Sequence, residues 1–352
     1  MQGGVGDCTN EIAKGLSAFG AEVQVLTSIA ASNLRPSSFV VRPTIERWDW
    51  SSRRVIARVI RDFAPRLLKS RATKFVTTFH DLRVPYLFPK AGRVRDWITH
   101  ELARSSDAVI ATNDEDYAEL QTLNLKFLTL IPIGSNITTT TPADYNRAAW
   151  RAQLSVRDDE TLLCYFGFLN ESKGGETLLR ALALIPNAKL LMIGGQIGAS
   201  DPTNIAYLSK IKSLISNLQL TDRVLWTDFA PAEIVTAHFR ASDICVLPYR
   251  DGASYRRGTL MAALAHGMAI ITTATKTETL DPTSLQPALR DGENCLLVPP
   301  DDVHALAAAI QRGAASPELR GKISAGAREL SEYFTWDKIA LQHLELYRQL
   351  GV

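Results

Sequence analysis

Short apolar runs, almost unbroken by polar residues, recur along the whole chain with amphipathic stretches between them. In the first part they occupy residues 23–27, 75–79, 108–111 and 128–132. In the second they occupy 162–166, 189–193, 224–227, 244–247, 269–272 and 296–298. A strand with one wet face alternates apolar and polar residues. A strand covered on both faces is apolar throughout, so these runs predict parallel strands sandwiched by helices. The intervening patterns agree: Val55, Ile56, Val59, Ile60 and Phe63 share one helical face, as do Leu178, Leu179, Leu182 and Ile185. Strand and helix alternating twice over predicts two doubly wound α/β domains, and 352 residues are long for a single core.

The boundary falls in "SNITTTTPADYNRAAWR", residues 135–151, near Thr139, with a new helix beginning near Ala143. The expected domains are 1–138 and 139–332. A last helix, 333–352, with Trp336, Ile339, His343, Leu344 and Tyr347 at helical spacing, crosses back to the first domain. The first domain reads as incomplete. "MQGGVGD" is a glycine turn leading into a helix over 8–19 with no strand before it. A helix over 53–63 is followed, after Ala64 and Pro65, by a second helical stretch where a strand is due.

Composition narrows the function. A formal charge of +2 is too near balance for nucleic-acid binding, so any anion site is local. Cys8, Cys164, Cys245 and Cys295 lack ligand spacing and read as buried free thiols; His and Cys nowhere cluster, and no structural metal is expected. No apolar stretch is long enough to span a membrane and no leader pattern opens the chain, which gives a cytoplasmic expectation.

Candidate chemistry sits where strands run into helices. Glycines there let backbone N–H groups approach phosphate oxygens. Gly3, Gly4 and Gly6 open one helix; Gly194, Gly195 and Gly198 follow a strand; neither set matches GxGxxG, and a plain tight turn is an equal reading. In "YFGFLNESKGGETLL" a strand ends at Gly167, and Lys173 and Gly174 stand just before a helix. A lysine at a helix N-terminus opposes the macrodipole unless an anion is shared there, the alternative being a solvated side chain. "YRDGASYRRG" places Ser254, Arg256, Arg257 and Gly258 before another helix, with two guanidinium forks suited to phosphate; one of them can pair with Asp251 instead. "TFHDLR" ends a strand with His80, Asp81 and Arg83, where the imidazole can donate to a substrate hydroxyl, transfer a proton or bond a loop carbonyl. Asp7 is an acceptor-side candidate or a helix cap.

Taken together, "GGVGD", "TFHDL", "SSDAVIATN", "IPIGSNI", "FGFLNESKGGETLLRAL", "LPYRDGASYRRGTLMAALAHG", "RDGENCLLVPPDD" and "FTWDKIALQHLELYRQL" stand in the order seen in family 4 retaining glycosyltransferases, and the resemblance is strongest from Tyr165 onward. It implies the GT-B fold, an α/β pair of facing Rossmann-like domains. A nucleotide-diphosphate sugar binds as donor in the second domain, and a glycan or lipid-linked acceptor in the first. It implies no cofactor and no metal, and it allows peripheral contact with the inner face of a membrane. By this resemblance Lys173 binds the donor diphosphate and Gly3 and Gly4 approach its phosphates. His80 lies near the sugar, and the loop from Ser254 to Gly258 contacts the donor. Gly167 and Gly174 belong to the same donor group, and Asp7, Asp81 and Arg83 to the acceptor side.

The chain also departs from the family pattern. Phe168 stands where an arginine is common, and Ser254 and Ala262 stand where two glutamates usually hold sugar and ribose hydroxyls. Arg256 and Arg257 are candidates to replace the missing cation and hold the leaving diphosphate. The expected function is a glycosyltransferase of glycan or glycolipid synthesis. The alternative is a nucleotide-sugar-binding protein without transfer activity; the absence of GxGxxG disfavours a dehydrogenase.

Overall fold

The computed structural model describes residues 4–28, 40–45, 74–82, 92–196, 202–274 and 285–351. The chain divides into two compact units, Met1–Asn136 with Thr335–Val352, and Ile137–Phe334.

In the first unit α1 (Gly4–Ala18), β1 (Gln24–Ser28), β2 (Val40–Ile45), β3 (Val76–Phe79), α2 (Gly92–Ser105), β4 (Ala108–Ala111), α3 (Asp114–Gln121) and β5 (Leu128–Leu130) follow in order. Strands β3, β4 and β5 form one parallel sheet, and β1 pairs with β2 in another, also parallel. One face of the larger sheet, Ala108 and Ile110, packs with Ile131 and with Ile339, Leu346 and Leu350 of the C-terminal segment; the opposite face packs Val109 and Ala111 against Leu82, Ala103 and Leu120. The central strand β4 is buried on both faces, as its unbroken apolar run required, while β3 and β5 are half-buried. The C-terminal helix, given its label below, is anchored by the Trp336 indole, whose Nε1 donates to the Ser135 carbonyl at 2.6 Å.

Two local expectations change. The first helix begins at Gly4, not at Cys8, so Gly4, Gly6 and Asp7 lie in its opening turn, and Asp7 is not its cap. Strand β2 was not foreseen, because Arg42 and Pro43 interrupt its apolar run; Pro43 pairs with Thr27 just before a register shift, after which Ile45 pairs with Ser28. The two strands that the sequence pattern lacks, one ahead of the first helix and one after Pro65, fall outside the described residues, as does the helix expected over 53–63.

The second unit runs α4 (Arg147–Gln153), β6 (Thr161–Phe166), α5 (Gly175–Ala183), β7 (Ala188–Ile193), α6 (Pro202–Asn217), β8 (Val224–Trp226), α7 (Ala232–Ala241), β9 (Ile244–Leu247), α8 (Gly258–Ala265), β10 (Ile270–Thr273), β11 (Leu296–Val298), α9 (Val303–Ala315) and α10 (Pro317–Ser331); α11 (Trp336–Gln349) then joins the first unit. Its sheet is parallel with order β11-β10-β9-β6-β7-β8. Leu178, Leu179, Leu182 and Ile185 are all buried against it, so the helical face read from sequence is the face that packs. The linker helix starts at Arg147 rather than Ala143 because the Asn146 side chain caps it, accepting from the Ala149 amide at 3.0 Å. All four cysteines are buried free thiols. Among the described residues no helix is long and apolar enough to cross a membrane.

One buried ion pair ties α4 to the sheet. Arg151 donates to Asp243 at 2.9 Å, to the Ala241 carbonyl and to the Glu160 carbonyl, while Asp243 also accepts from Arg147 and from the Leu162 amide. Truncating Arg151 leaves Asp243 with Arg147 and the Leu162 amide but takes the donor from the Ala241 and Glu160 carbonyls. Arg151→Ala is therefore expected to lose roughly 2 kcal/mol, measurable as a lower denaturant midpoint.

Candidate functional site

The strand order of the second unit reverses between β6 and β9. From β6 the chain steps outward to β7 and β8, then returns to β9 and steps the other way. Open α/β sheets bind ligands in the crevice at the carboxyl ends of such a strand pair. The ladder here is short: Leu163 pairs with Ile244 and Cys164 with Cys245, and no further pair follows. The loops leaving β6 and β9 are the two that carry the sequence candidates.

After β6 the backbone turns at Gly167, whose φ is +109°. A Cβ there would stand 2.6 Å from Thr259 Cγ2 and 3.0 Å from Lys173 Nζ, so only hydrogen fits. A 3-10 turn, Glu171–Lys173, leads to Gly174 at φ +69°, the residue before α5. The added Cβ at Gly174 would lie 1.9 Å from the Pro248 carbonyl oxygen of the loop after β9. The Arg250 amide donates to the Ser172 carbonyl at 2.9 Å, locking the two loops together.

The loop after β9 builds a cationic wall. The Arg257 guanidinium lies 4.3 Å above the Tyr249 ring, and the Tyr249 hydroxyl shares a 2.7 Å hydrogen bond with Thr259. Asp251 pairs with both arginines: with Arg256 at 3.3 Å, and with Arg257 through its other oxygen. The sequence allowed Asp251 one arginine, and it takes two. Arg257 Nε is buried without a hydrogen-bond partner.

Lys173 completes the group. Burial, and then the Arg257 charge beside it, pull its ammonium down from the ordinary lysine range to about 8, and no carboxylate among the described residues pairs with it. The N-terminus of α5 follows Gly174 and that of α8 follows Arg257, and neither preceding residue caps its helix with a side chain. The Tyr207 hydroxyl already bonds the Gly175 and Glu176 amides at the start of α5, so the groups set toward Gly167 are the Lys173 ammonium, with the Arg257 guanidinium beside it, and Thr259 of the first turn of α8, an arrangement that suits an oxyanion with several acceptor atoms.

The remaining candidates divide. Gly258 opens α8, with empty space where a Cβ would be; Ser254 accepts the Arg257 amide on its carbonyl at 3.1 Å. Gly4, Asp7, His80 and Asp81 belong to the first unit, and Gly3 and Arg83 lie outside the described residues. Asp7 accepts from Asn136 at 2.7 Å, and Asp81 is exposed. His80 follows β3, where burial and then the nearby His343 lower its pKa and hold the imidazole neutral at pH 7. Sequence reasoning missed Tyr249 and Thr259. Their signal was faint: an aromatic just after a buried strand, eight residues before an arginine at a helix start.

Two Rossmann-like units, one with a cluster of cations at its switch point, are the architecture of the GT-B fold. Comparison with known proteins agrees. Residues 160–315 match the model of the glycosyl transferases group 1, and residues 2–138 match that of Glycosyltransferase Family 4. The chain belongs to the family 4, group 1 glycosyltransferases. Sucrose-phosphate synthase from Thermosynechococcus elongatus is 27% identical, with a TM-score of 0.76 over 99% of this chain and 94% of that one. Anabaena Alr3699/HepE in complex with UDP-glucose shares the fold at 17% identity, TM-score 0.77, over 99% and 97% of the two chains. D-inositol 3-phosphate glycosyltransferase of Xylanimonas cellulosilytica is 27% identical over 258 residues, which are 71% of this chain and 58% of that protein. The match spans little more than half the length of the curated relatives.

Proposed function

We propose that this chain is a retaining glycosyltransferase that seats the diphosphate of a nucleotide sugar among Lys173, Arg257 and the N-terminus of α8, and passes the sugar to a glycan or lipid-linked acceptor. The observation that carries this reading is Lys173. An ammonium held beside a guanidinium with no carboxylate of its own costs free energy that a bound anion returns. Breaking the anomeric C–O bond builds positive charge on the sugar and negative charge on the departing diphosphate. Fixed cations and a helix N-terminus aimed at the phosphates stabilise that leaving group, so the reading needs no metal or other cofactor. Gly167 and Gly174 let the backbone come close. By the family pattern His80 attends the sugar, and Asp7, Asp81 and Arg83 attend the acceptor, at the cytoplasmic face of a membrane when that acceptor is lipid-linked.

Calorimetric titration with UDP, GDP and ADP tests the seat and selects the base, and turnover of the matching sugar nucleotide then tests transfer. No binding of any of the three overturns the reading; binding without sugar release identifies a binding protein. The pH dependence has a definite sign. A bound diphosphate favours the protonated lysine and raises its pKa above the free value of about 8. Affinity is then level between pH 7 and 8 and falls, by up to about tenfold per pH unit, above 8. Binding at pH 8.5 takes up a proton, seen as a dependence of the apparent heat on buffer ionisation enthalpy.

A further inference from the structure

Asp251 bridges two guanidiniums that are far more enclosed than it is: the side chains of Arg256 and Arg257 are 6% and 12% exposed, that of Asp251 30%. A carboxylate against arginine N–H groups presents the charge and paired oxygens of a phosphate edge. The bridge leaves Lys173 uncompensated, because the charge acting on it is that of Arg257 and no acid opposes it. The Arg257 guanidinium is fixed from below by Tyr249, itself tied to Thr259, so its plane stays in place whichever anion lies against its edge.

We propose that Asp251 is an internal stand-in for the donor phosphate: it yields Arg257 when a diphosphate enters and reclaims it to expel the nucleoside diphosphate after transfer. This rests on Lys173 and Arg257 forming the diphosphate seat. A stand-in and a mere structural support predict opposite results. Neutralising a stand-in removes a competitor, so anions bind more tightly and leave more slowly. Neutralising a support lets Arg257 turn away, and binding weakens.

The test compares the full chain with Asp251→Asn, Asp251→Glu and Lys173→Ala, using inorganic pyrophosphate as probe and UDP as a second ligand. Asp251→Asn is expected to bind pyrophosphate about tenfold more tightly, through a slower off-rate in stopped flow. It is also expected to melt lower than the parent without ligand and to regain more stability when pyrophosphate is added. Asp251→Glu restores the parental affinity. Equal or weaker binding by the folded Asn variant overturns the proposal; should that variant precipitate, Asp251→Ser is the second neutral replacement and the same outcomes decide. If Lys173→Ala binds pyrophosphate as the parent does, the seat itself is misplaced and both readings fall. Loss of binding in Lys173→Ala with no gain in the neutral Asp251 variants removes the role of Asp251 alone.

Discussion

Gly174→Ala is expected to destabilise the second unit by roughly 3 kcal/mol, lowering its melting temperature by roughly 10 °C, and to abolish nucleotide binding. Two costs combine. The backbone at Gly174 is left-handed, φ +69°, a conformation unfavourable for a residue with a Cβ. The new methyl would also stand 1.9 Å from the Pro248 carbonyl oxygen, so one loop has to move away from the other. The contact is between main chains, and no rotamer change relieves it. Whatever relaxation occurs separates Lys173 from Arg257. Thermal denaturation followed by UDP titration of the surviving fold checks both halves. A variant with parental melting temperature and affinity would show that the two loops are not held in register by this glycine.

Lys173→Ala is expected to cut affinity for the bound nucleoside diphosphate by about 2–3 kcal/mol, roughly 30- to 150-fold, the loss of a charged hydrogen-bond donor in a half-buried site. The same substitution stabilises the empty protein at neutral pH. Burial and Arg257 penalise the charged lysine, whose folded pKa of about 8 lies below its unfolded value. The folded state binds fewer protons between those two values, so this group makes stability rise with pH from about 8 to the ordinary lysine pKa; below 8 the full penalty applies. Alanine removes the penalty and flattens that slope. Unfolding curves at pH 7 and 9.5, beside titrations at pH 7, separate the two effects. Weaker binding with raised stability marks a functional residue held against its own interest. A fall in both would make Lys173 a structural lysine.

Much of the fold was legible because burial on both faces leaves little choice of residue. The runs at 108–111, 244–247 and 296–298 coincide with β4, β9 and β11. Errors came where one residue carried two meanings. Gly4 and Gly6 read as a turn but lie in the first turn of a helix, and Pro43 hid a strand. At the site, the residue types at strand-to-helix junctions disclosed Gly167, Lys173, Gly174 and Arg257. What brought them together, the neighbouring of β6 and β9, is a property of strand order, on which local pattern is silent. Asp251 was visible only as a partner for one arginine, since a carboxylate shared by two is a matter of side-chain geometry.

The short ladder between β6 and β9 has a mechanical meaning. Both strands continue for two residues past the last rung, Tyr165 and Phe166 on one side, Val246 and Leu247 on the other, without knitting to each other. The sheet is split at its centre, like a zip left open at the top. A fully closed zip would be stiffer and would leave nothing for the cations to surround. On the proposed function a diphosphate would lie against the loops that leave these unpaired strand ends, so the gap in the ladder and the seat are one feature of the strand order.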